Sequence, residues 1–186
     1  TADGSKVTLT IPDTQTYNSD LLAQFEQHNN LYVAKSDDGV LDFGYLYGCL
    51  GIQVKGDFSI NSIVLSSDNQ PLAGRVAFDF ENEMEASAVA RSLYSLTVKC
   101  EEPVVVTEES AALLYAMLPP ATYSNLTIEI NTNKGTISKR LNGSYVVKRV
   151  VSTLSSEEMS SGTIVADFEH LAIGEESEAS PRLWSK

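Results

Sequence analysis

The sequence predicts an all-β sandwich of about seven to nine strands with little helix. Three observations predict it. Apolar residues recur at period two in short runs, such as Leu50, Ile52 and Val54, or Leu126, Ile128 and Ile130. Turn chemistry separates the runs at short intervals, as at Lys55-Gly56-Asp57, Asp68-Asn69-Gln70-Pro71 and Asn142-Gly143. Helical signals are few, the clearest being Asp20 to Gln27 with Ser19 or Asp20 as its cap.

Taken in order, Val7, Leu9 and Ile11 alternate with threonines and form a first strand that stops at Pro12. Leu31 to Ala34 is a short apolar piece, Ser36 to Gly39 a turn, and Val40 to Tyr45 leads into the organising stretch from Leu46 to Ser66. There the run ending at Val54 and the β-branched run Phe58 to Leu65 are joined by a short Gly-containing break, which predicts a β-hairpin. A hairpin alone is marginal in water, so its apolar face must rest on further strands. Leu72 to Phe80 supplies one, with Val76, Phe78 and Phe80 on one parity. Glu81 to Ala90, acidic and alanine-rich, reads as a loop or one helical turn. Leu93 to Cys100 and Val104 to Val106 read as two strands separated by Pro103. Leu113 to Leu118 is almost continuously apolar, as in a central strand covered on both faces, and ends at Pro119-Pro120. Asn131 to Gly135 joins two strands as a hairpin loop, and Tyr145 to Val151 adds another strand.

These elements complete a domain over residues 1–152. Residues 153–162 are serine- and glutamate-rich and read as a linker, the preferred site of proteolysis. Residues 163–186 return to strand-like composition and then to a polar tail. The segment has three uses open to it: a final edge strand of the same sheet, a strand given to a neighbouring molecule, or the start of a further module. Ile164, Val165, Ala166 and Phe168 are its candidate strand-exchange residues, expected to dock on a sheet.

Composition narrows the function. The chain has 186 residues and a net charge of −12, which opposes binding to nucleic acid or to anionic lipid. No apolar run reaches the roughly 20 residues of a membrane-spanning helix. The two histidines, His28 and His170, do not form a metal-binding i, i+4 pair, and no serine lies in a nucleophile elbow. Asp37, Asp38 and Asp68 lack the spacing of a calcium loop, and no glycine-rich loop opens a helix for phosphate. No catalytic, cofactor-binding or metal residues are therefore assigned. Cys49 has the opposite parity to its apolar neighbours and Cys100 the same parity as Leu96 and Val98, which favours two free thiols; a bulge at Gly48 would re-aim Cys49 and allow a pair. Asn125-Leu126-Thr127 and Asn142-Gly143-Ser144 are glycosylation sequons only in a eukaryotic secretory host. The eight tyrosines are the main aromatic resource, either as sugar-stacking platforms or as core-edge residues with bonded hydroxyls.

Three passages resemble the fimbrillin family of pilus and surface proteins of gut and oral Gram-negative anaerobes. One is Ile11-Pro12-Asp13-Thr14-Gln15-Thr16-Tyr17, similar to that family's proline and Gln-x-Tyr segment. The second runs from Leu41-Asp42-Phe43 through Val54 and Ile60 to Leu65, closing with Pro71-Leu72-Ala73-Gly74. The third is Leu96 to Cys100, then Tyr115-Ala116-Met117-Leu118-Pro119-Pro120-Ala121-Thr122-Tyr123, then Leu126 to Ile130, and its Pro-Pro, x-Thr-Tyr block is the most specific part.

The resemblance implies a transthyretin-like, Greek-key β-sandwich, export as a lipoprotein, and a place on the outer surface or in a fimbria. It carries over no catalytic residue. The chain departs from the family pattern in showing no lipobox cysteine or processing arginine near its start, and in spanning little more than one sandwich. A single-sandwich surface lipoprotein, or one module of a longer protein, fits that departure, with any lipid anchor outside these residues. The expected function is a non-enzymatic surface module for assembly or adhesion, with other surface or pilus proteins as partners. The alternative is a glycan-binding accessory module that takes host or environmental glycans on a tyrosine platform, which predicts two or three coplanar exposed aromatics.

Overall fold

The computed structural model describes residues 2–3, 6–20, 23–24, 32–35, 42–82, 85–147, 151–160 and 163–167. Among these, the strands in chain order are β1 (Ala2–Asp3), β2 (Lys6–Ile11), β3 (Thr14–Thr16), β4 (Tyr32–Lys35), β5 (Asp42–Tyr45), β6 (Gly48–Val54), β7 (Phe58–Ser66), β8 (Ala73–Asp79) and β9 (Glu85–Leu93). They continue with β10 (Ser95–Val106), β11 (Ala112–Leu118), β12 (Ala121–Ser124), β13 (Thr127–Thr132), β14 (Gly135–Arg140), β15 (Ser144–Val147), β16 (Val151–Ser160) and β17 (Thr163–Asp167). The backbone is helical at Ala23 and Gln24, where the Asp20 carboxylate caps by accepting a bond from Ala23 N.

The strands make an all-β sandwich of several sheets. The largest has the order β14-β13-β7-β10-β3, and two four-stranded sheets run β1-β2-β8-β9 and β11-β6-β16-β17. The pairs β12-β15 and β4-β5 complete the set. One hydrophobic core draws on the three larger sheets and the β12-β15 pair, with Val76 and Phe78, Ile63 and Leu65, Ile52 and Leu114, and Tyr123 and Val147 all buried in it. The alternation read from the sequence holds best in β13, where Ile128 and Ile130 are buried and Glu129 is exposed. The β13-β14 hairpin also forms as expected, with Ile130 opposite Ile137.

The stretch from Leu46 to Ser66 is not a hairpin. β6 and β7 follow each other in sequence but lie in different sheets. Each is apolar enough to need a neighbour on both sides: β6 takes β11 and β16, and β7 takes β10 and β13. The Lys55-Gly56-Asp57 break therefore carries the chain across the core instead of back along the same sheet. Gly56 has φ +154°, and a Cβ there would lie 2.2 Å from the Phe58 ring, so this crossing requires glycine.

Four further expectations change. Glu85–Leu93 is the edge strand β9, because antiparallel pairing with β8 overrides the weak helical preference of its alanines. The two strands expected around Pro103 are one strand, β10, whose register against β7 shifts between Lys99 and Val104. That bulge leaves Pro103 without a ladder bond to supply. Leu113 to Leu118 is largely buried but lies in β11 at the edge of its sheet, not at the centre. Most of 153–162, read as a linker from its polar composition, continues as strand in β16; Ser161 and Gly162 lie outside the described residues. The strand count exceeds the expected seven to nine because short pieces such as β3 and β12 pair independently.

Candidate functional site

The strand-exchange residues lie on the last strand of the β11-β6-β16-β17 sheet. The first residues of β16 pair parallel with β6, from Val151 opposite Cys49 to Leu154 opposite Ile52. From Ser155 onward β16 pairs antiparallel with β17, placing Ala166 opposite Ser156, Val165 opposite Glu158 and Ile164 opposite Met159. A register irregularity lies between Ser156 and Glu158. Ile164, Val165 and Ala166 are thus brought together on one strand, whose ladder is offset along β16 from the part that touches β6. Phe168 lies outside the described residues.

The opposite edge of the same sheet is β11. In an antiparallel pair, alternate residues direct their backbone groups away from the partner strand. On β11 the outward residues are Leu113, Tyr115 and Met117, and side chains of the 15–24 segment meet all three. The Gln15 amide bonds Met117 twice, accepting from Met117 N at 2.9 Å and donating to Met117 O at 2.8 Å. The Tyr17 hydroxyl donates to Leu113 O at 3.1 Å, and Gln24 Nε2 reaches Tyr115 O at 3.5 Å. Gln24 Oε1 in turn accepts from Asn18 N at 2.6 Å.

β3 positions this cover. It pairs parallel with β10 of the five-stranded sheet, with Gln15 opposite Val98, and is extended by the Thr97 N to Asp13 O and Tyr17 N to Lys99 O bonds. Gln15 is 4% exposed although its strand belongs to one sheet and its amide bonds another. The Gln-x-Tyr spacing has a physical use here: residues two apart on a strand share a face, so Gln15 and Tyr17 both reach β11. Sequence reading singled out Gln15 and Tyr17 only as part of a resemblance, and missed Gln24. The available signal was two amides and a tyrosine in a short polar stretch beside a proline.

The Pro-Pro, x-Thr-Tyr block also acquires a role. Tyr123 is wholly buried, and its hydroxyl donates to Pro119 O at 2.7 Å, four residues back. This fixes the corner between β11 and β12 in the manner of a tyrosine corner. Burial pushes the Tyr123 phenol well above its ordinary range and that of Tyr47 up to about 12. Asn69 treats β12 as Gln15 treats β11, donating to Thr122 O at 2.9 Å and accepting from Ser124 N at 2.7 Å.

The cysteines are free and sit in different sheets, Cys49 in β6 and Cys100 in β10. Burial raises both thiols, Cys49 by far the more, which suppresses thiolate chemistry. Among the described residues no group of three His, Cys, Asp or Glu is placed to hold a metal ion, and no helix is long and apolar enough to cross a membrane. Of the tyrosines with described side chains, Tyr94 is exposed, Tyr17, Tyr115 and Tyr145 are half-buried, and Tyr47 and Tyr123 are buried.

No family model matches this chain, and no curated protein sequence matches it. Solved structures do resemble it. A structure from Bacteroides ovatus ATCC 8483, described as "a putative cell adhesion protein", superposes with TM-score 0.57 at 12% identity over 91% of this chain and 60% of its own. A second, from Bacteroides fragilis NCTC 9343 and described in the same words, gives TM-score 0.41 at 15% identity, over 74% of this chain and 49% of its own. The first shares the fold, and this chain spans about three-fifths of its length.

Proposed function

We propose that this chain is a non-enzymatic, fimbrillin-like module of a bacterial cell surface, acting in assembly or adhesion. The observation that carries the reading is the fold shared along 91% of the chain with the structure described as "a putative cell adhesion protein". The fimbrillin resemblance supports it, since both of its short motifs are structural devices of this sandwich: Gln15 and Tyr17 cover β11, and Tyr123 fixes the corner after it. On this reading the protein is exported and held at the outer surface, and its partners are other surface or pilus proteins. β17, with Ile164, Val165 and Ala166, is the proposed strand-exchange segment, because an extended strand at the end of a sheet recognises a neighbour through main-chain bonds. Antibody labelling of intact cells, paired with an attachment assay on cells lacking the gene, tests the reading. Labelling without permeabilisation and a loss of attachment or of surface assemblies are expected. Labelling that requires permeabilisation would overturn it.

A further inference from the structure

The edges of the sheets show how the chain controls its own association. An exposed strand edge is a template for another chain, and proteins blunt such edges with charges, bulges or short strands. Three sheet edges here follow that rule. β9 carries Glu85 and Arg91 and bulges between its pairings at Ala88 and Ser92. β14 carries Lys139 and Arg140, and β3 has three residues. β11 follows none of these. Its sequence, ALLYAML, is seven residues without a charge, proline or glycine, and its register with β6 runs unbroken from Ala112 to Leu118. Such a segment is the composition most prone to pairing with itself.

We propose that Gln15, Tyr17 and Gln24 are a removable cover over a latent self-association edge, and that β11 freed of them pairs antiparallel with β11 of a second copy. The Gln15 amide offers Met117 one acceptor and one donor, as a neighbouring strand would, so it occupies the position that a strand needs. The partner is a second copy because the pairing is self-complementary: an antiparallel, two-fold arrangement presents the same uncharged edge from each side. The net charge of −12 does not oppose it locally. In that antiparallel arrangement the Glu108-Glu109 end of one β11 points towards the Pro119-Pro120 end of the other copy, away from its Glu108 and Glu109. This inference concerns the chain itself and stands whether or not the protein acts at a cell surface.

The test is Gln15→Ala, read by sedimentation and by hydrogen exchange at the Met117 amide across a wide range of concentration. The wild-type chain should remain monomeric with Met117 protected. In the variant, dilute protein should lose that protection by about tenfold or more. Concentrated protein should roughly double in mass and regain the protection. Adding Leu113→Lys, which places a charge on the edge, should restore the monomer. A merely weakened fold would speed exchange equally at every concentration. If Gln15→Ala does not fold, Gln15→Thr, a strand-forming residue whose hydroxyl is too short to reach Met117, opens the same edge and is read in the same way. A folded variant that stays monomeric throughout, association that leaves Met117 unprotected, or a wild type already paired through β11 would each overturn the proposal.

Discussion

β6 and β9 hold their places by opposite means. Six of the seven residues of β6 are buried, and the strand lies between β11 and β16, so both its faces and both its edges are occupied. One of the nine residues of β9 is buried, and the strand ends its sheet beside β8. What β9 lacks in burial it makes up in local bonding at its bulge. Ser92 Oγ accepts from Val89 N at 2.8 Å and lies 2.6 Å from Arg75 O, while Arg91 takes φ +71° to complete the turn of the chain. Facing it, Gly74 also has φ +71°, and a Cβ there would lie 2.5 Å from Arg91 O. The centre of the sandwich is specified by apolar volume, and this rim by backbone geometry.

The largest expected difference is in sensitivity to truncation. Leu50→Ala in β6 should cost about 2–5 kcal/mol, since Leu50 is buried where neighbours cannot collapse inward freely. Ala88→Ser, at an exposed position of β9, should change stability by about 0.5 kcal/mol or less. Denaturant midpoints for the two variants check this, and equal losses would break the contrast.

Next in size is the corner after β11. Tyr123→Phe leaves Pro119 O without its buried donor and should cost about 1–3 kcal/mol in the same measurement. It should also alter the response to alkali. The phenol of the unfolded chain ionises near 10.0, while burial holds folded Tyr123 and Tyr47 neutral to higher pH. Above pH 10.0 the unfolded chain releases protons that the folded chain retains. Stability from these groups is therefore complete below 10.0 and falls as pH rises, through about 12 for Tyr47. Buried Cys49 adds a loss of the same sign, beginning near 9.0. Tyr123→Phe should flatten the alkaline decline, and a decline as steep as in the wild type would show that Tyr123 does not contribute to it.

Smaller than the core and corner losses are those at the β9 bulge. Ser92→Ala removes the hydroxyl that organises it and should cost about 0.5–1.5 kcal/mol. Arg91→Gly should be near neutral, within about 1 kcal/mol, because relief at positive φ offsets the added freedom of the unfolded chain. A thermal melt of each variant decides, and a large loss at Arg91 would mean that its side chain, not its backbone, holds the bulge.

The same contrast explains what could be read in the sequence. Period-two burial is a one-dimensional signal, so β2, β8, β13 and the apolar runs of β6 and β7 were legible. Which strand pairs with which is not in that signal. A two-residue apolar period with Gly56 between the runs fits a hairpin and a crossing between sheets equally well, and only the competition for neighbours on both edges decides it. Ala86 to Ala90 carries no apolar contrast at all, so β9 was illegible. The cover on β11 was half-visible: Gln15 and Tyr17 stood out as a motif, but their use depends on β3 reaching from one sheet to the backbone of another. The strand in β16 was hidden by serines and glutamates, whose composition matches a linker.

The sandwich depends on the consecutive strands β6 and β7 belonging to different sheets, with β6 paired to β11. Gln53 and Leu113 lie directly opposite each other in that pairing, at a position where both direct their backbone bonds away, the closer of the two antiparallel geometries. Cysteines introduced together as Gln53→Cys and Leu113→Cys should form a disulfide under mild oxidation, identified by mass spectrometry of the linked peptides, without loss of the fold. Val54→Cys with Phe58→Cys, which a hairpin would bring face to face across the Lys55-Gly56-Asp57 turn, should not link. A bond between positions 54 and 58 with none between 53 and 113 would contradict the two-sheet arrangement.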